Sequence, residues 1–186
     1  MKRLITLLLL VAVLSGCGRN GEELDRAMGL RAKLLAAQGV RFDAVITADY
    51  GDKHYTFALG CTADSQGDMQ FTVLEPETIA GITGTLSKNS GKLTFAGEAL
   101  AFEMMADGLV SPVSGPWVLL RTLRGGYLTS CGMEDGLLRV TIDDSYADDA
   151  LHLEVWLNGE DVPVRGEIVW QGRRILSLEV KNFEIV

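Results

Sequence analysis

Val40-Arg41-Phe42-Asp43-Ala44-Val45-Ile46-Thr47-Ala48-Asp49-Tyr50 carries the signal that decides the fold. Val40, Phe42, Ala44, Ile46, Ala48 and Tyr50 alternate with Arg41, Asp43, Thr47 and Asp49, the period of two that a strand with one buried face requires. Gly51-Asp52 turns the chain, and Tyr55, Phe57, Leu59 and Cys61 take up the same rhythm. Ser65-Gln66-Gly67-Asp68 is a second turn, ahead of Met69, Phe71 and Val73. Further on, the alternation returns at Leu93 and Phe95, at Leu100, Phe102 and Met104, and at Leu138, Val140 and Ile142. It closes with Leu151 to Leu157, Val164 to Trp170, and Leu176, Leu178 and Val180. Short strands parted by turns bearing Gly, Asn and Asp predict an antiparallel meander.

Two stretches break the pattern. Before the first strand, Leu24, Ala27, Met28, Leu34 and Leu35 recur at helical spacing, and Gly39 is a natural stop. Asn20 with Glu23 has the form of a capping box, and Glu22, Glu23 and Asp25 suit a helix amino terminus, so a helix is expected over residues 21–38. Midway, Pro116 opens and Gly125-Gly126 closes the run Trp117-Val118-Leu119-Leu120-Arg121-Thr122-Leu123-Arg124. That second helix is apolar nearly all round, which predicts burial on more than one side. A long meander must still hide its apolar face, by closing or by curving around the helices. The expected class is mainly β (α+β): a curved, half-open antiparallel β-barrel with an N-terminal helix and an inserted mid-chain helical lid.

The amino end reads as a leader. Met1-Lys2-Arg3 precedes an apolar run from Leu4 to Leu14, too short for the ~20 residues of a membrane span. Leu14-Ser15-Gly16-Cys17 stands where the cleavage site belongs and resembles the bacterial lipobox, in which the Cys is acylated and becomes the new amino terminus. Residues 1–16 are thus expected to be a signal peptide, Cys17 the lipid anchor, residues 17–21 a short tether, and 22–186 one domain on the extracytoplasmic face of a bacterial membrane. Losing Lys2 and Arg3 with the leader moves the formal charge from −8 to −10. Such an acidic chain is not built to hold nucleic acid or to coat an anionic membrane by charge. The membrane is therefore expected to be reached through the lipid.

Catalytic patterns are missing from the sequence. His54 and His152 are the two histidines, each out of phase with the apolar set of its strand, and neither has a zinc-ligand neighbour. No G-x-S-x-G elbow occurs. Gly84 to Lys92 misses the phosphate-loop spacing and reads as a hairpin through Lys88-Asn89-Ser90-Gly91. Asp143 to Asp149 lacks the Gly and closing Glu of an EF-hand loop. The expectation is a non-enzyme without cofactor or metal. Cys61 and Cys131 form either a disulfide, as an extracytoplasmic setting permits, or two separate small apolar fillers.

Phe71-Thr72-Val73-Leu74-Glu75-Pro76-Glu77, Leu93 to Leu100, Ser111-Pro112 ahead of the Trp117 helix, and the closing Gly166-Glu167-Ile168, Gly172-Arg173-Arg174 and Val180-Lys181-Asn182-Phe183 occur in an order that resembles the LolA/LolB family of lipoprotein carriers and its Gram-positive lipoprotein relatives. The resemblance implies an apolar cavity that takes acyl chains. Its expected wall is Phe42, Ile46, Phe57, Leu59, Phe71, Val73, Phe95 and Phe102, with Trp117 and Leu120 from the lid. The expected partners are the membrane, lipid or an acylated ligand, and an envelope protein. The alternative is a structural or sensory envelope lipoprotein, related to stress or sporulation, whose interior is filled by its own side chains.

Overall fold

The computed structural model describes residues 19–186 apart from 52, 89, 96, 97, 103, 104, 107 and 108. The leader and Cys17 therefore lie outside the described residues. Helix α1 runs Arg19–Ala36 and is followed by strands β1 (Gly39–Asp49), β2 (His54–Asp64) and β3 (Met69–Glu75). A short 3-10 turn at Glu77–Ile79 leads to β4 (Thr83–Ser87), β5 (Ser90–Phe95) and β6 (Glu98–Phe102). The small β7 (Met105–Ala106) and β8 (Leu109–Val110) pair with each other, and a second 3-10 turn at Pro112–Ser114 runs into helix α2 (Gly115–Gly125). Strands β9 (Tyr127–Glu134), β10 (Leu137–Asp143), β11 (His152–Leu157), β12 (Pro163–Trp170) and β13 (Arg173–Ile185) finish the chain.

Eleven strands form one antiparallel sheet in the order β6-β5-β4-β3-β2-β1-β13-β12-β11-β10-β9. Two meanders are thus joined back to back, β1 pairing with β13 from Val40↔Ile185 to Ala48↔Leu176. The insert carrying α2 links β6 to β9, the two free edges, so the sheet curves without closing. The expected half-open barrel is what forms. The helices differ from expectation only at their ends: α1 starts at Arg19, so Asn20 sits inside it and is not its cap. Strands β4 and β9 are additions to the sequence reading.

The alternation of β1 becomes a burial pattern. Phe42, Ala44, Ile46 and Ala48 are 0–1% exposed, while Arg41 and Thr47 face solvent. Leu59, Cys61 and Ala63 of β2, Met69, Phe71 and Val73 of β3, and Leu176, Leu178 and Val180 of β13 continue the same concave face. One core spans all of them. A slip of one residue would move this whole set to the convex side, so burial fixes the register.

Gly84 shows how tightly the concave face is filled. A Cβ there would lie 2.3 Å from Phe71 Cζ and 2.9 Å from the Lys92 carbonyl oxygen. Gly84→Ala is expected to push the Phe71 ring off its site and destabilise the domain by about 1–3 kcal/mol, the usual cost of overpacking. A urea transition with an unchanged midpoint would contradict it.

Candidate functional site

Helix α2 sits in the concavity and defines the site. Eight of its eleven residues are buried, from Gly115 to Leu120 together with Thr122 and Leu123. Glycines permit the close approach to the wall. A Cβ on Gly115 would lie 3.2 Å from Leu176 Cδ1, and one on Gly166 of β12 would lie 3.1 Å from Leu119 Cδ1. The outer side of α2 is covered in turn by α1, whose Arg31 Nε donates to the Leu123 carbonyl at 2.8 Å. Burial pushes the Arg31 guanidinium pKa down. Arg26 Nε fastens α1 to Asp161 Oδ1 at 2.7 Å and its Nη2 to the Asn158 carbonyl at 3.1 Å, both on the β11–β12 turn.

The third contact of α2 is with the β2–β3 turn. Trp117 Nε1 donates to the Gly67 carbonyl at 3.0 Å. Arg124 Nη1 donates to the Asp64 carbonyl at 3.2 Å, and its Nη2 to that of Ser65. Beside these bonds lies a cleft of about 170 Å³ lined by Lys88, Trp117, Leu120, Arg121 and Arg124, with Gln66, Gly67 and Asp68 on the rim. Its lining combines the apolar Trp117 and Leu120 with three cations against one carboxylate. Arg121 also stacks on the indole, its guanidinium carbon 5.1 Å from the ring centroid. In a chain of net charge −8 that local excess of positive charge favours an anionic group.

The proposed wall residues fare unevenly. Phe42, Ile46, Leu59, Phe71 and Val73 are 0–3% exposed and belong to the one shared core. Phe57 is half-buried against the same core. The side chains of Phe95 and Phe102 lie outside the described residues. Trp117 and Leu120 are buried and also edge the cleft. Helix α2 approaches the concave face at Leu176 and Leu178 of β13, beside Gly115, and at Gly166 of β12, beside Leu119. Lys88, Arg121 and Arg124 were not singled out as a group by the sequence, because the first and last stand 36 positions apart and only the fold brings them together.

A larger depression of about 550 Å³ lies at the end of the sheet, between Gln38, Thr62, Asp64, Asp68, Gln70 and Ser87. Its two charges are both carboxylates, and none of the residues expected to meet a ligand line it.

Cys61 and Cys131 are free. They stand inside β2 and β9, with five strands between those two in the sheet order, so the disulfide alternative is set aside. Burial pushes both thiols up, with the Asp43 carboxylate adding to Cys61 and that of Glu23 to Cys131. His54 and His152 are exposed as expected, each beside an aspartate: His54 Nδ1 is 3.7 Å from Asp49 Oδ1, and His152 Nδ1 is 2.6 Å from Asp143 Oδ1. Among the described residues no group of three or more His, Cys, Asp or Glu is placed to hold a metal ion. No helix among them is long and apolar enough to cross a membrane.

Among the described residues, an N-terminal helix, an open antiparallel sheet and a mid-chain helix within its curve are the main elements. No family model and no curated protein matches the sequence. Among solved structures, the chain is similar to a LolA superfamily protein from Nitrosomonas europaea (7% identity, 86% of this chain and 93% of that one, TM-score 0.44). It is also similar to a putative outer membrane lipoprotein-sorting protein domain from Vibrio parahaemolyticus (8% identity, 86% and 90%, TM-score 0.46). A third is LprF from Mycobacterium bovis (11% identity, 88% and 93%, TM-score 0.42).

Proposed function

We propose that this chain is a membrane-anchored extracytoplasmic lipoprotein, held by acylated Cys17, that binds a lipid or acyl chain without acting as an enzyme. The observation that carries this reading is the cleft beside α2, which brings Trp117 and Leu120 together with the cations Lys88, Arg121 and Arg124. That pairing suits an amphiphile with an anionic head. The head would meet the cations while the first methylenes lie on the indole and Leu120. A longer chain would reach the wall of Ile46, Leu59 and Phe71 only by displacing α2, since lipid and helix would compete for the same apolar surface.

The test is a titration of the purified chain with palmitate and with its uncharged glycerol ester. Arg121→Gln and Lys88→Gln are both expected to weaken palmitate binding about fivefold, the effect of ~1 kcal/mol lost from a partly exposed charge. The neutral ester should bind these variants as it binds the parent. Equal affinities of all three proteins for palmitate would sink the cationic site.

The 0–3% exposure of the wall favours a second reading, a sensory or structural lipoprotein whose interior is filled for good and whose ligand is another envelope protein. Native mass spectrometry of protein purified without detergent separates the two. Co-purified acyl species support the first reading, and a clean apo mass supports the second.

A further inference from the structure

Helix α1 has two apolar faces, and the core uses only one. Ala27, Leu30 and Leu34 are 7%, 3% and 0% exposed against the core. Leu24, Met28 and Leu35 are 40%, 46% and 58% exposed, and Ala32 beside them is exposed as well. At about 100° per residue the second group falls within a band of roughly 80°, centred about a third of a turn away from the buried face. No charged residue of the helix points outward through that band. Lys33 and Glu22 project on the far flank, Asp25 borders the stripe, and Arg26 is committed to Asp161 and Asn158. An uncharged stripe running the length of a helix in so acidic a chain is too regular to be scattered surface leucines.

The chain ahead of the helix says what covers it. Arg19, where α1 begins, stands two residues after Cys17. Two residues span at most about 7 Å, so an acyl group on Cys17 would hold the first turn of α1 at the bilayer surface. We infer that α1 lies along the membrane with Leu24, Met28, Ala32 and Leu35 set into the headgroup boundary, so that the bilayer is the partner of this face. The inference rests on the anchoring of Cys17 proposed above and adds an orientation to it. The buried face of α1 keeps the curved sheet above the helix. The domain is thus fixed by a lipid and a helix together instead of swinging on its tether. The stripe carries no cation, so its seating depends on apolar area and not on anionic lipid.

The experiment uses the full lipidated chain in phosphatidylcholine vesicles. Leu24→Cys, Met28→Cys and Leu35→Cys are each reacted with a membrane-impermeant maleimide, with Lys33→Cys as the control on the far flank. Each is compared with the same variant carrying Cys17→Ser, free in solution, and native Cys131 supplies a constant background. The three stripe positions are expected to react at least tenfold more slowly on vesicles, at low and high salt alike, and Lys33→Cys at the same rate in both forms. Equal rates at all four positions on a chain whose mass includes the diacylglyceryl group would overturn the orientation and leave the anchoring intact. A chain lacking that mass overturns the anchoring, and the orientation with it.

Discussion

Cys17→Ala is expected to abolish incorporation of radiolabelled fatty acid and to move the chain from the membrane fraction to the soluble one. The effect should be near complete, because nothing among the described residues supplies comparable membrane affinity. Each buried acyl methylene contributes ~0.8 kcal/mol, and two chains give stable anchoring where one is marginal. On the proposed processing, loss of Lys2 and Arg3 with residues 1–16 would leave a formal charge of −10, which works against that attraction. Among the described residues no helix crosses a membrane. The stripe on α1 offers three partly exposed large side chains, enough to orient a tethered domain and too little to hold an untethered one. Equal labelling of parent and variant would sink the lipoprotein reading.

How much of this was legible beforehand depended on whether a signal was local. Strands β1 to β3 could be read because their alternation is strict and each buries a single face. Strand β9 could not: Tyr127, Thr129, Ser130, Met133 and Glu134 are all exposed at the edge of the sheet, so no apolar period marks it. Strand β4 hid for a different reason. Gly84 occupies its concave position because Phe71 fills the space a side chain would need, and a glycine inside a strand reads as a turn. The pairing of β1 with β13 joins residues at opposite ends of the chain, which no window of sequence contains. The convex face of the second meander is set by pairs on neighbouring strands that a period of two does not reveal. There Arg165 lies 4.2 Å from the Trp156 ring centroid, and Arg139 Nη2 bonds Glu154 Oε1 at 2.6 Å. For the site, Trp117 and Leu120 stood out as greasy helix residues, whereas the cations that give the cleft its character are dispersed along the sequence.

Leu120→Asp should separate plug from sheet. Leu120 is 2% exposed on α2 and edges the cleft, so the change removes a large apolar contact and places a carboxylate there. Lost burial amounts to ~1.5–3 kcal/mol, and desolvation of the carboxylate adds to it. Arg121 and Arg124 line the same cleft and offset part of that second cost. A net weakening of α2 docking by about 3 kcal/mol is expected. The sheet should survive, because its ladders from β1 to β13 do not run through α2 and a domain of this size has ~5–15 kcal/mol in hand. Two readouts then move together. Emission from Trp117 shifts to the red as the indole leaves its bond to Gly67, while far-ultraviolet dichroism keeps its strand signature. The uncharged glycerol ester of palmitate binds more tightly, by tenfold or more, because a loosened plug competes less for the wall of Ile46, Leu59 and Phe71. Palmitate itself gains less, since the new carboxylate repels its head. Leu120→Ala, with no added charge, should show the same trend at smaller size. If Leu120→Asp folds normally and neither Trp117 emission nor ester affinity changes, α2 is fixed core and the acyl chain has no route to the wall.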